Sequence, residues 1–382
     1  MNSILLIYKK NQNCKNQITT QGVVKKYLSG KKPELISHYD FGRLTLLIYS
    51  RNLINREIFQ QDNKVFGYNG IMYPPFDPAF DGRSLRNQIY DYFSKEYDKQ
   101  GRKVFQKLKG KYNAFVFDKG NQALIIANDQ LGMHPAFCME DNDAFLLCSE
   151  YEALMEYKNE KTNFNSVSII EYLLFGAPQN NNSFFRNISV FPAGFVLKLH
   201  EEKVIEKECL YKTKISKTKD STTGLALQYN TVFRYDELNL LLKWYPELEI
   251  TLTGGADTRM ILGAIAPENY KTYNFVTFTS KAVENELNQD IIIAELLSKE
   301  LGLNHHVEEK QYHGIDKLDN GYFSCLRNGN DFGLYGYLGS ESVRFGSTYE
   351  LNIPVLTRQM LSEKSFYRRI PDAFIPVKSG YS

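Results

Sequence analysis

The chain lacks the features that mark membrane-spanning or nucleic-acid-binding proteins. No apolar run approaches the roughly 18 residues of a spanning helix. The apolar start, residues 4–8, is too short for a secretory signal. Charge of one sign is missing too: 46 Lys and Arg against 44 Asp and Glu leave a formal +2. With both signs interspersed, no field steers a polyanion to the surface. The densest basic stretch holds Lys212, Lys214, Lys217 and Lys219 among Thr and Ser, and reads as a solvated linker. Its alternative reading is a patch for tRNA or a carrier protein. Five cysteines, at positions 14, 138, 148, 209 and 325, show neither disulfide nor metal spacing. Cys138 and Cys148 lie in apolar stretches and are expected as buried free thiols, in a reducing cytoplasm. Tyr and Phe are plentiful, yet no basic stripe interleaves with them, which excludes a base-stacking surface.

What is present is concentrated in residues 248–259. Leu248, Ile250 and Leu252 alternate as a strand requires, and Gly254 and Gly255 allow a tight turn with close backbone approach to a ligand. Asp257 and Thr258 then open a helix with Met260, Ile261, Ala264 and Ile265 at apolar spacing, closed by Pro267. A helix N-terminus is an anion site, and Thr253, Thr258 and Arg259 add donors to it. Residues 271–279 read as a second strand, with Tyr273, Phe275, Val276 and Phe278. Residues 287–301 read as a helix with Ile293, Leu296, Leu297 and Leu301 on one stripe. Gly302 stops it, and His305, His306 and Val307 enter a third strand. The two histidines would point to opposite faces, which argues against a shared metal.

Thr253, Gly254, Gly255, Ala256, Asp257 and Thr258 resemble the S-G-G-x-D-S pyrophosphate loop of the ATP-pyrophosphatase superfamily, with Thr for Ser at both ends. Asp290, Ala294, Leu301, Gly302, His305 and His306 are similar to the D…A…LG…HH pattern that follows it in asparagine synthetases. Residues 110–118 resemble the G-x-F-A-F-x-x-x-D strand of class II glutamine amidotransferase domains, and residues 128–135 that family's R-D-x-x-G-x-x-P turn. Residues 148–154 resemble its S-E-x-x-A-L segment, and residues 171–176 with Ile188 and 191–194 its E-Y-L-x-x-G…I…x-P-x-G stretch. The ordered set spans residues 65 to 307.

Two departures accompany the resemblance. The family's nucleophile is a cysteine exposed after the initiator Met is removed; here Asn2 stands at that position, and neither Ser3 nor Cys14 supplies a substitute. Asn69 and Gly70 match the family's oxyanion element, but Ile71 replaces the glutamate that follows, and Asn128 replaces the arginine before Asp129. Asn69, Gly70 and Asp129 are therefore expected as a vestigial glutamine site without glutaminase activity. Beyond residue 314 no S-G-x-G-x-D-E motif appears; the runs at 329–333 and 336–340 are glycine-rich without a D-E pair. The second domain is accordingly expected to be short, to close its pocket differently, or to have lost its activity.

The expected architecture has two domains, with length enough for both cores. Residues 1–215 should form an α+β layered domain of the N-terminal-nucleophile type, with stacked antiparallel sheets. Residues 220–382 should form an α/β parallel-sheet ATP-pyrophosphatase domain, with the nucleotide at the carboxyl ends of its strands. The resemblance implies an ATP-dependent ligase that adenylates a carboxylate, releases pyrophosphate and uses ammonia or an amine. Its alternative is a catalytically inactive nucleotide-binding or scaffold protein. The same resemblance implies that Thr253, Gly254 and Gly255 cradle phosphates, that Asp257 holds Mg²⁺, and that Thr258 and Arg259 contact pyrophosphate. Leu252, Phe278 and Thr279 would border the adenine. The expected partners are ATP and an unknown carboxylate and amine, with a homodimer as the candidate assembly and neither nucleic acid nor membrane.

Overall fold

The computed structural model describes residues 3–10, 36–49, 58–79, 81–134, 136–149, 154–155, 163–175, 178–201, 203–211, 221–231, 237–246, 248–280 and 289–310. Asn2, Cys14, Cys325, residues 150–153, Gly176, the lysine-rich stretch and the glycine-rich runs beyond 314 lie outside the described residues.

Two six-stranded antiparallel sheets form the first layers. One is ordered β10-β8-β9-β1-β3-β2, from β1 (Ser3–Lys9), β2 (Ile36–Asp40), β3 (Leu44–Tyr49), β8 (Phe137–Glu140), β9 (Ala144–Cys148) and β10 (Ser189–Val190). The other is ordered β12-β11-β7-β6-β5-β4, from β4 (Ile58–Gln61), β5 (Lys64–Tyr73), β6 (Lys109–Asp118), β7 (Ala123–Asn128), β11 (Phe195–His200) and β12 (Lys203–Cys209). Strand alternation in β6 explains why they stack. Phe115 and Phe117 join Ile4, Leu6 and Tyr8 of the facing sheet in one buried cluster. Tyr112, Ala114 and Val116 point the other way, onto α1 (Leu85–Gln100). Ser84 caps that helix, its hydroxyl accepting from the Asn87 amide, and Ile89, Tyr90 and Phe93 are its buried face. Phe93 meets Phe66 edge to face at 5.2 Å. A third cluster lies on the far face of the first sheet and includes Leu5, Leu146 and Phe185. Beyond it, α2 (Ser166–Phe175) leaves Leu173 and Leu174 exposed.

After α3 (Thr222–Thr231) and α4 (Asn239–Trp244) comes a parallel sheet ordered β13-β14-β15: β13 (Glu249–Thr251), β14 (Asn274–Ser280) and β15 (Asn304–Lys310). α5 (Ala256–Ala264) and α6 (Gln289–Leu301) are its crossovers, as the βαβ spacing predicts. β14 begins three residues later than expected, because the Tyr270 and Thr272 amides close turns onto Pro267 and Asn269. The expected apolar stripes are corrected in part. Met260 is exposed on α5, while Ile261, Ala264 and Ile265 are buried. On α6, Leu296 and Leu301 are exposed and Ala294 alone is buried, with Leu297 packed against the core. Burial on that face is centred on Ala294 and Leu297. Leu248, Ile250, Leu262 and Phe275 share one buried cluster with Phe66, Tyr112 and Trp244, so the core runs on from the antiparallel layers. Trp244 and Tyr245 pack this junction as expected, the indole N–H donating to the Phe76 carbonyl at 2.7 Å. Cys148 is buried as expected; Cys138 is half-buried, less enclosed than expected.

Candidate functional site

The strand-loop-helix turn follows from local hydrogen bonding. Leu252 leaves β13 with its amide on the Val276 carbonyl at 2.9 Å. Its own carbonyl accepts from the buried Thr277 hydroxyl at 2.6 Å. That hydroxyl has one proton, so its 2.7 Å contact with His305 Nε2 makes the imidazole the donor. Burial, with His306 adding to it, lowers the pKa of His305, consistent with a neutral ring. His306 lies 4.0 Å from Glu249, so the two histidines take separate partners. Among the described residues, no three His, Cys, Asp or Glu come together as a metal group.

Two threonines close the loop. The Thr253 amide donates to Thr258 Oγ1 at 3.1 Å, the two hydroxyls meet at 3.0 Å, and the Gly255 amide donates to Thr253 Oγ1 at 3.1 Å. The Gly254 amide donates to Asp290 Oδ1 at 2.9 Å, in the first turn of α6. A Cβ on Gly254 would lie 2.7 Å from Ile293 Cδ1, so the loop backbone packs directly on side chains of α6. The expected phosphate donors Thr253, Gly254, Gly255 and Thr258 are thus gathered into one loop, with their bonds made within it or, for the Gly254 amide, to α6. Asp257 and Arg259 are exposed on the first turn of α5, Arg259 Nε donating to the Gly255 carbonyl at 3.3 Å. Leu252 is fully buried, with its amide and carbonyl both engaged; Phe278 is half-buried, two residues past Val276. Thr279 pairs with Glu309 along β14 and β15. Asp290, Thr277 and His305 were not expected in the loop. The βαβ order alone signals them, since it places the carboxyl end of β14 beside that of β13.

The second cluster lies between the antiparallel sheets. Asn69, Asn113 and Asn128 are cross-strand partners on β5, β6 and β7, and all three are buried. They continue a face that begins with Val65, Phe117, Phe115, Leu124 and Ile126. Asn128, which stands where the family pattern has arginine, holds the 191–195 turn instead. Its Oδ1 accepts from the Phe195 amide at 3.3 Å, and its Nδ2 donates to the Phe191 carbonyl. Asp129 accepts from four amides, those of Tyr112, Leu131, Met133 and His134, at 3.0 to 3.2 Å. Its carboxylate shapes the turn that carries His134. Gly70 sits at φ +102° on the strand, and a Cβ there would meet the Lys111 carbonyl and come within 3.1 Å of His134 Cγ. Only glycine can hold this position. Tyr8, at the far end of β1, donates to the Gln122 carbonyl before β7, so β1 starts from the asparagine-row end.

Asn69, Gly70 and Asp129 are therefore brought together, and the structure adds Lys111, Asn113 and His134. Burial pushes the His134 ring down to about 3, with the Lys111 charge adding to the effect. Burial pushes Lys111 down to about 8, against the pull of Asp129. These residues were signalled by polar side chains at alternation positions where β6 otherwise carries phenylalanine.

Residues 93–210 match the family model of the glutamine amidotransferase domain. No curated protein matches the chain. Among solved structures, an allosteric regulatory enzyme of purine biosynthesis is 11% identical, with a TM-score of 0.35, over 80% of each chain. The glutamine phosphoribosylpyrophosphate amidotransferase of B. subtilis, in complex with ADP and GMP, is 12% identical with a TM-score of 0.34. That overlap covers 80% of this chain and 65% of the other. The family-model match runs from within α1 through β12 and covers less than half of the chain.

Proposed function

We propose that the chain is an ATP-dependent, amide-forming ligase of the asparagine synthetase type, without glutaminase activity. One observation carries this reading: a Thr-Gly-Gly loop leaves a parallel strand and opens a helix, with Asp257 and Arg259 exposed on its first turn. In such a reaction a substrate carboxylate oxygen attacks the α-phosphorus of ATP and pyrophosphate leaves. Ammonia or an amine then attacks the acyl carbon, AMP departs, and the nitrogen loses a proton to solvent. Arg259 and the positive end of α5 would stabilise the charge growing on pyrophosphate. Asp257 fits a Mg²⁺ shared with phosphate oxygens, since Mg²⁺ is commonly held by one or two carboxylates plus substrate. Gly254 would exchange its bond to Asp290 for one to phosphate.

A catalytically inactive nucleotide-binding or scaffold protein is the second reading. It is favoured by the glycine amides, both of which are already bonded within the protein. Calorimetric titration with MgATP separates the two. Binding that weakens at least tenfold in Asp257→Ala, about 1.4 kcal/mol, supports the ligase and justifies a search for substrates by pyrophosphate release. A wild-type chain that binds no MgATP rules the ligase out.

A further inference from the structure

Buried polar side chains are nearly always hydrogen-bonded, and a buried cation is normally paired. The amidotransferase layers break both rules in one place. Asn69 is 4% exposed, and neither its Oδ1 nor its Nδ2 has a partner among the described residues. His134 is 2% exposed, and both ring nitrogens are likewise unpartnered. Lys111 is 4% exposed and makes no ion-pair contact among the described residues, with the Asp129 charge acting on it without contact. Among the described residues the carboxylate whose charge acts on Lys111 is Asp129, which accepts from four amides. The three groups belong together: Lys111 and Asn113 share a face of β6, Asn113 pairs with Asn69, and Asn113 Nδ2 donates to the His134 carbonyl at 3.1 Å.

We infer that Lys111, Asn69 and His134 form a binding site for a small monocarboxylate that also carries a hydroxyl. The ammonium supplies the charge, and Asn69 Nδ2 and the His134 N–H supply donors to the two carboxylate oxygens. Asn69 Oδ1 and the second imidazole nitrogen are acceptors, and a hydroxyl on the ligand satisfies one of them. A single anionic charge is required. A dianion would leave one charge uncompensated in a buried space that already contains the Asp129 carboxylate. Gly70 lets the backbone of β5 pack directly against His134 and the Lys111 carbonyl, which holds the cluster together.

The test is calorimetry on the full chain at pH 7 with glycolate, its neutral isostere glycolamide, and sulfate, all at one ionic strength. Glycolate is expected to bind, and glycolamide and sulfate at least tenfold more weakly. Lys111→Met and the isosteric Asn69→Asp should each weaken glycolate at least tenfold. Absence of glycolate binding, equal binding of glycolamide or sulfate, or unchanged affinity in either folded variant overturns the site. The three-ligand comparison decides the matter on the wild type alone if neither variant folds.

Discussion

The Tyr245 hydroxyl closes on both backbone groups of one residue, accepting from the Met72 amide at 3.0 Å and donating to its carbonyl at 2.7 Å. The reason lies in the sheet. β5 pairs with β6 along its whole length, but with β4 only as far as Gly67. Among the described residues no strand pairs with the rest of that edge, and Tyr245, just past α4, caps it at Met72. Lys243 with Asp77, at 2.5 Å, and Lys109 with Glu237 lie across the same junction. They are part-exposed and contribute little next to a buried tyrosine.

Tyr245→Phe keeps the ring in the core but strands the Met72 N–H and C=O. The expected loss is about 1–3 kcal/mol, read in urea as a lower midpoint at unchanged slope. A midpoint within error of the wild type would mean that the hydroxyl is dispensable at this edge.

His134 makes stability fall in acid. Its folded pKa, about 3, is well below the roughly 6.5 of an unfolded histidine. Between those values the unfolded chain takes up a proton that the native ring refuses. Native stability is unaffected above pH 6.5 and is lost as pH falls from 6.5 toward 3, by up to about 1.4 kcal/mol per unit. His134→Gln removes this dependence. Urea unfolding from pH 7.5 to 4 should give a shallower acid slope in the variant; parallel slopes would show that His134 protonates freely in the native state.

Thr258 is expected to hold the 253–258 loop closed. Thr258→Val keeps the shape and removes the hydroxyl that accepts from the Thr253 amide, at a loss of about 1–2 kcal/mol. Thr258→Ser should retain most of it. Hydrogen exchange at the Thr253 amide is the direct readout: faster in the valine variant, near wild type in the serine variant. Equal protection in all three would assign the closure to packing alone.

The parallel sheet was legible because its signals are local. Alternation at Leu248, Ile250 and Leu252, the Gly-Gly turn, and Gly302 after a helical run are properties of neighbouring residues, and the elements formed there in the expected order, with β13 confined to Glu249–Thr251 and β14 starting three residues late. Helix faces were legible only in part. Leu296 and Leu301 fit the stripe, but burial on α6 depends on how much sheet lies beneath each turn. The loop residues were identified, yet their partners were not, since Asp290 reaches Gly254 across 36 positions of sequence.

The same division holds in the antiparallel layers. Asn69, Gly70, Asn128 and Asp129 could be picked out as motif residues, but nothing in the motif says that Asn128 holds a turn or that Asp129 accepts from four amides. The sequence alone determined the strands, the two glycine-dependent turns and the balance of charge, because these follow from alternation, backbone freedom and composition. The tertiary structure alone decided which polar groups meet, that Lys111, Asn69 and His134 are buried together, and that Tyr245 covers the edge of β5. Hydrogen bonding and desolvation depend on distance in space, and the chain fixes that distance only once its sheets are stacked.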